Sequence, residues 1–536
     1  MKEDHGLAPL VIAVAVAGGA VLLHRVDVRH SGPIIGALAL AGILTGAFVV
    51  SRLEGRRTGM DRRRPLGVDA NARFASGRAL APLRLRRGQR NRFVIGRRGR
   101  HLLATEDRSA ARTRTRKHTG DRGAVCVIGP SRCGKTANTI SGILQWDGPA
   151  ILSSVKTDLL SATAGWRAQR GEVRVFDPTG ATTATPSGWS PLGRATTPSD
   201  AQRIAHSLSE AAPRAGAENL DFFLALAEQL LWPCLYLASQ HGAPMAEVAR
   251  WMLVQDRPTP RDDGAIQLLL DRELAHGDAT RRAAAVACDA ALAATWSLDD
   301  RTRSSVYATA QTLVQPWTDP SVAASARTHD IDLDWLTSGS NTLYLCAPLH
   351  DQSRLAPVFG GLIGDLLQQA YARAGRNEPM PPTLLVLDEA GNSAARWLPE
   401  VASTCAGIGI VLVTIWQSKA QIDAAYGPLA DSLLTNHLTK IVFSGVSDPA
   451  TAEYVDRLLG ETPVVHRGVT HDLADGRRSL GEDTRSARLV PAHVLRQVAP
   501  GEAVLVHGTL PPAHLRTIPY FRDRRLAARA ALGGVP

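Results

Sequence analysis

Residues Gly129 to Thr136 read GPSRCGKT, a complete G-x-x-x-x-G-K-T phosphate loop, and this stretch decides the fold. Its two glycines let backbone N–H groups close around phosphate oxygens, Lys135 reaches the β- and γ-phosphates, and the Thr136 hydroxyl binds Mg²⁺. The flanks agree with the motif. Ala124–Ile128 (AVCVI) is a short apolar run that predicts a strand, and from Thr136 (TANTISGILQW) the apolar spacing predicts a helix. Gly129, Pro130, Ser131, Arg132, Cys133, Gly134, Lys135 and Thr136 are therefore the candidate ATP-binding residues. Only six of the sixty-one basic residues are lysines, and one of the six fills this motif.

Working outward, short apolar runs alternate with helical patterns, which predicts an α/β fold with a mostly parallel sheet. The runs are Ala150–Ser153, Val173–Phe176, Thr342–Cys346, Leu384–Leu387, Ile410–Ile415, Lys440–Phe443 and Ala503–His507. Upstream, Phe93–Glu106 predicts a strand or hairpin leading into the phosphate-loop domain. The alternation breaks between about 196 and 330, where Ala-, Leu-, Gln- and Arg-rich segments such as Leu220–Ser239 and Thr280–Trp296 have helical periodicity. The expected organisation is an α/β nucleotide-binding domain over 118–195 and 331–523, an inserted all-α domain over 196–330, and a C-terminal tail over 524–536.

A second motif, TLLVLDEAGN, spans Thr383–Asn392. An acid at the end of a buried strand can hold Mg²⁺ through its water shell, and the next carboxylate can activate the attacking water. Asp388 and Glu389 are the candidates for these two roles. A third element is GIVLVTIWQSKAQ, Gly409–Gln421. Its strand ends at Trp416, so Gln417 emerges where a γ-phosphate sits, provided that this strand neighbours the Asp388 strand. A polar cap on a core strand is the simpler reading of the same glutamine.

At 536 residues the chain exceeds the usual size of a single core. Its six cysteines (126, 133, 234, 288, 346 and 405) form no C-x-x-C pair and read as reduced, mostly buried thiols. Two apolar stretches, Leu7–Leu23 and Pro33–Val50, each approach the length that spans a bilayer. Together, over 1–51, they predict a transmembrane hairpin. Arg52, Arg56, Arg57 and Arg62–Arg64 follow the second span closely and place both termini in the cytoplasm by the positive-inside rule. From Arg52 to Lys117 there are twenty-one basic residues against five acids, whereas the whole chain carries only +11. The basicity therefore belongs to this juxtamembrane segment. Contact with the lipid leaflet and contact with nucleic-acid phosphates or an acidic partner are both open readings.

The motifs occur in a family-specific order: GPSRCGKT, VFDPTG at 175–180, FF–AEQLL–P–LY at 222–236, LDEAGN, WQSKAQ with Tyr426-Gly427 and Asn436 after it, SDPATAEYVDRLLG at 447–460, and TIPYFRD at 517–523. In this order the chain resembles TraG/TraD-type coupling proteins of type IV secretion and conjugation, within the FtsK/HerA-like RecA-fold superfamily. The resemblance covers roughly residues 90–520. It implies a RecA-like P-loop ATPase domain with a helical insert, anchored in the inner membrane as a two-pass protein. It also implies a homo-hexamer that couples single-stranded or plasmid DNA with its relaxase to the secretion channel. By position, Lys135 and Thr136 bind phosphate and Mg²⁺, Asp388 holds the metal, Glu389 polarises water and Gln417 senses the γ-phosphate.

Two departures stand out. Relatives often carry an arginine between the LDE motif and the Gln strand, a candidate trans-acting finger, but here that segment is VASTCAGIG (401–409). Arg396, Arg301 and Arg303 are the alternatives. SSVKTDL at 153–159 lacks the acid that many relatives have before the lysine, which leaves Lys156 and Asp158 as residues near the nucleotide or at an exposed strand end. Two function classes follow: a DNA-translocating ATPase, or a nucleotide-gated receptor that recruits relaxase or effector proteins without pumping. The LDE pair and Gln417 favour the first. A transporter of the ABC type is disfavoured, because LSGGQ is absent and two spans are too few for a permeation path.

Overall fold

The computed structural model describes residues 71–106, 123–154, 157–212, 219–393, 395–471 and 478–533. The expected membrane hairpin, residues 52–70 and 107–117 of the Arg-rich segment, and Lys156 lie outside the described residues. Ala72–Pro536 forms one compact unit.

Its strands, in chain order, are β1 Val94–Arg98, β2 His101–Ala104, β3 Val125–Ile128, β4 Ala150–Ser154, β5 Val173–Phe176, β6 Thr342–Cys346, β7 Thr383–Leu387, β8 Ile410–Trp416, β9 Thr439–Phe443, β10 Glu461–His471, β11 Arg478–Arg488, β12 Glu502–His507 and β13 Leu510–Arg516. Eleven of them make one sheet in the order β2-β1-β13-β12-β9-β3-β8-β7-β4-β6-β5. The seven from β9 to β5 are parallel, and their near-continuous apolar residues are buried on both faces. Four antiparallel strands extend one edge. The apolar runs read from sequence all lie in this sheet. The proline-rich stretch after β12 is itself a strand: β13 holds Pro511 and Pro512 where no strand asks for their missing N–H, since β1 meets it only at Arg97 opposite Arg516 and the Pro512 carbonyl accepts from Ala75 N at 2.7 Å. β10 and β11 pair as a separate two-stranded ribbon that the apolar pattern did not announce.

The helices are α1 Lys135–Ile143, α2 Asp158–Ala168, α3 Pro198–Glu210, α4 Leu220–His241, α5 Met245–Val254, α6 Ala265–Leu274, α7 Ala279–Trp296, α8 Asp300–Val314, α9 Pro320–Ser325, α10 Leu333–Thr337, α11 Gln352–Gly375, α12 Leu398–Thr404, α13 Lys419–Tyr426, α14 Ala430–Asn436, α15 Pro449–Leu459, α16 Ala492–Gln497 and α17 Arg524–Ala530. Among the described residues no strand of the sheet falls between β5 and β6. α4 is long and apolar enough to cross a membrane by composition, yet most of it is buried. It is apolar nearly all round because α3, α5, α6, α7 and α8 surround it. One continuous apolar core joins these helices to the sheet face that carries Cys126, Ile128 and Trp416. A second core covers the opposite face, where α17 packs on α2 and Arg529 stacks over Trp166 at 4.2 Å.

Candidate nucleotide site

The phosphate loop joins the C-terminal end of β3, near the middle of the sheet, to the N-terminus of α1. Parallel strands all present their C-terminal ends to this edge, and in open α/β folds that edge is where ligands bind. The two motif glycines are required for different reasons. A Cβ on Gly129 would lie 2.7 Å from Phe443 Cβ and 2.9 Å from Cys133 Sγ. Gly134, just before α1, has φ +98°, which L side chains rarely adopt. Arg132 also has positive φ, and Ser131 and Arg132 are exposed at the tip.

Lys135 opens α1, and its ammonium donates back across the loop to the carbonyls of Gly129 and, at 2.7 Å, Pro130. Partial burial pushes this lysine below its ordinary pKa, opposed by Cys133, Asp388 and Glu389. Burial likewise raises the Cys133 thiol despite the neighbouring ammonium, so Cys133 is a neutral packing group 3.9 Å from Lys135 Nζ. Thr136 follows in the first turn and is half-buried.

Asp388 leaves the end of β7, and its own N–H still bonds to Ser153 O at 2.9 Å, continuing the ladder with β4. Burial, then the adjacent Glu389 charge, raise the Asp388 carboxyl to about 6; Lys135 and Ser154 oppose the shift. Ser154 Oγ donates to Asp388 Oδ2 at 3.5 Å. Asp158, at the start of α2, is near enough to raise Asp388 further. Glu389 has φ +57°, an uncommon left-handed conformation for a side chain of its size. Lys135, Asp388 and Glu389 are thus brought together electrostatically from two strands that are not neighbours.

β8 lies between those strands, paired with β3 on one side and β7 on the other. The adjacency required of the Gln417 strand holds. Gln417 is exposed at the end of β8, and its N–H donates to Gln421 Oε1 at 2.9 Å. Below it, Trp416 Nε1 donates to Thr414 Oγ1, which also meets His437 Nε2, both at 2.9 Å.

The arginine alternatives separate clearly. Arg396 bonds to Asp221 and lies 3.8 Å from Glu210, tying the loop after Glu389 to α3 and α4. Arg303 is buried against Asp300 and the carbonyls of Trp296 and Leu298, so it fastens α8 to the end of α7. Arg301 is exposed on α8. Ser154, Ser418, Gln421 and Thr414 were not singled out by sequence. Their only signal is a polar residue at or beside a buried strand end.

The family described as Type IV secretory system Conjugative DNA transfer matches residues 89–532, most of the chain. The chain belongs to this family. Among its family relatives is the conjugal transfer protein TraG of Agrobacterium fabrum, 25% identical over 398 residues, 72% of this chain and 59% of that protein. TraG of Escherichia coli is 23% identical over 461 residues, 78% of this chain and 70% of the relative. The matched region thus spans about three-fifths of the Agrobacterium relative. The bacterial conjugative coupling protein TrwB, in its unbound ΔN70 form, has the same fold. It aligns with TM-score 0.60 at 17% identity, covering 84% of this chain and 92% of that one. TrwB in complex with ADP and Mg²⁺ aligns with TM-score 0.59 at 17% identity over 84% and 94% of the two chains. This conjugative-transfer family member thus shares with TrwB an α/β fold with a central parallel sheet.

Proposed function

We propose that this chain is a membrane-anchored ATPase that couples a DNA–relaxase substrate to a type IV secretion channel and drives DNA transfer by ATP hydrolysis. The observation that carries the reading is the placement of the phosphate loop, the Asp388–Glu389 pair and Gln417 at the same edge, on β3, β7 and the intervening β8. The loop fits a nucleoside triphosphate: Gly129 is required by close packing and Gly134 by its positive φ, and the N-terminus of α1 offers N–H groups to phosphate.

The donor set also fits Mg²⁺. Among the described residues no group of three or more His, Cys, Asp or Glu could hold a metal alone. One hydroxyl (Thr136) and one carboxylate (Asp388) suit an ion that takes its remaining ligands from phosphates and water. When bound, Mg²⁺ neutralises charge on the β- and γ-phosphates. Lys135 then leaves its two loop carbonyls for phosphate oxygens. Asp388 must be ionised to serve the metal, Glu389 accepts a proton from the attacking water, and the Gln417 amide reports the γ-phosphate without adding charge.

Family membership supports the membrane anchor, a homo-hexameric ring and a DNA–relaxase cargo. The family's conjugative role, together with an intact carboxylate pair, favours a motor over a receptor that uses nucleotide only to hold subunits together. Conjugative transfer by cells carrying Glu389→Gln tests this. The motor reading expects binding of ATP to be retained and transfer to fall at least about a hundredfold. Transfer at the wild-type frequency in that variant would establish the receptor reading instead.

A further inference from the structure

The helix after Gln417 is fastened to the loop after Glu389 at both of its ends. At its start, Ser418 Oγ caps α13 by accepting from Gln421 N at 3.1 Å, which fixes the first turn. Gln421 then turns its side chain back, and its Oε1 accepts the Gln417 N–H at 2.9 Å. The same amide lies on Gly391, two residues beyond Glu389, so closely that a Cβ there would collide with Gln421 Cδ and Nε2. At the other end, Tyr426 donates from its hydroxyl to Ala395 O at 3.0 Å and packs edge-on against Trp416, with ring centroids 6.1 Å apart.

We propose that Gln421 is a positioning residue: its amide, seated on Gly391, holds the Gln417 backbone in register with the loop that carries Glu389. The last ladder residue of β8 is Trp416; its carbonyl still accepts from Gly129 N at 3.1 Å on the β3 side, but no strand offers the Gln417 N–H an acceptor. The Gln421 acceptor replaces the missing ladder partner. Gly391 belongs to the same requirement, because only a residue without Cβ leaves room for the amide. A change in the position of the Glu389 loop would therefore move Gln417, and the reverse, through one side chain. This inference rests on reading Gln417 as the γ-phosphate sensor.

The test is steady-state ATP hydrolysis by the full chain in detergent, with thermal melting alongside. Gln421→Met keeps the length and packing but removes the acceptor; Gln421→Glu keeps an acceptor oxygen. The expected result is a fall in kcat of about tenfold for Gln421→Met with KM for ATP within about twofold, and recovery of most of the rate in Gln421→Glu. Gly391→Ala, which displaces the amide without altering it, should reproduce the Gln421→Met loss. In a Gln417→Ala background the Gln421→Met change should cost nothing further, since both act through one group. Losses that multiply in the double variant, equal damage from Met and Glu, or an unchanged kcat in Gln421→Met would each overturn the proposal. If Gln417→Ala hydrolyses at the wild-type rate, the sensor reading and this proposal fall together. Losses in Lys135→Ala and Glu389→Gln would then still stand for the ATPase reading.

Discussion

The edge of the sheet and the layer just beneath it use the same residue types to opposite ends. At the edge, Lys135 and Asp388 are half-buried, the lysine pushed down and the carboxyl up by burial, and they sit on two loops that carry three left-handed residues, Arg132 and Gly134 after β3 and Glu389 after β7. One residue pair lower, Thr414, Cys126 and Lys440 lie side by side on β8, β3 and β9, with His437 completing a sealed polar row. There Lys440 Nζ donates to His437 O at 2.7 Å, and His437 Nδ1 lies 2.7 Å from Leu433 O. Burial lowers both lysines, but only Lys135 has carboxylates near it and an opening to solvent. The difference separates two uses of buried polar groups: left-handed backbone and clustered charge at the edge, sealed hydrogen bonding below.

The two layers also respond to acid in opposite directions. Asp388 is raised from 3.8 to about 6, so its protonated form stabilises the fold below pH 4 and that contribution is lost as pH rises through 6. His437 is lowered from 6.5 to about 4 by burial, so its neutral form stabilises the fold above pH 6.5 and that contribution is lost as pH falls through 4.

Substitutions can break or sharpen this contrast. The largest effect is expected from Lys135→Ala, which should reduce ATP hydrolysis by at least about a hundredfold with little change in melting temperature; Lys440→Met should leave turnover within about threefold. Comparable losses from both lysines would erase the distinction between the layers. His437→Gln should destabilise the protein by about 1–3 kcal/mol at pH 7.5, and denaturant titration should find that cost shrinking as the pH is lowered toward 4.5. Asp388→Asn should do the reverse, abolishing Mg²⁺-dependent hydrolysis while stabilising the nucleotide-free chain by about 1–2 kcal/mol at pH 7.5. A melting temperature lowered by that substitution would contradict the assignment of Asp388 as a group strained in the absence of metal. The smallest effect is expected for the stability of Lys440→Met, within about 1 kcal/mol of wild type, because replacing a buried charge by an apolar group of similar volume is often neutral.

The contrast also explains what the sequence disclosed. Phosphate loop, LDE strand and Gln strand were legible because each couples a buried apolar run to a polar residue at its end, and their common edge follows from parallel pairing. The strand order, which puts β8 between β3 and β7, rests on long-range pairing that no local pattern encodes. β13 was hidden by Pro511 and Pro512, which lack the N–H that a strand on their outer side would need. The polar row was invisible because Thr414, Cys126 and Lys440 sit in apolar runs and acquire meaning only by register across three strands. Gln421 carried no signal of its own beyond closing the Gln417 stretch, since only Gly391, thirty positions earlier, gives its side chain a destination.

The most direct test of the central claim is ATP hydrolysis by the full chain in detergent, with and without circular single-stranded DNA, for wild type and Glu389→Gln. A hydrolytic motor predicts turnover that DNA stimulates severalfold and that Glu389→Gln removes while ATP binding persists. Turnover indifferent to DNA and unchanged in Glu389→Gln would contradict it.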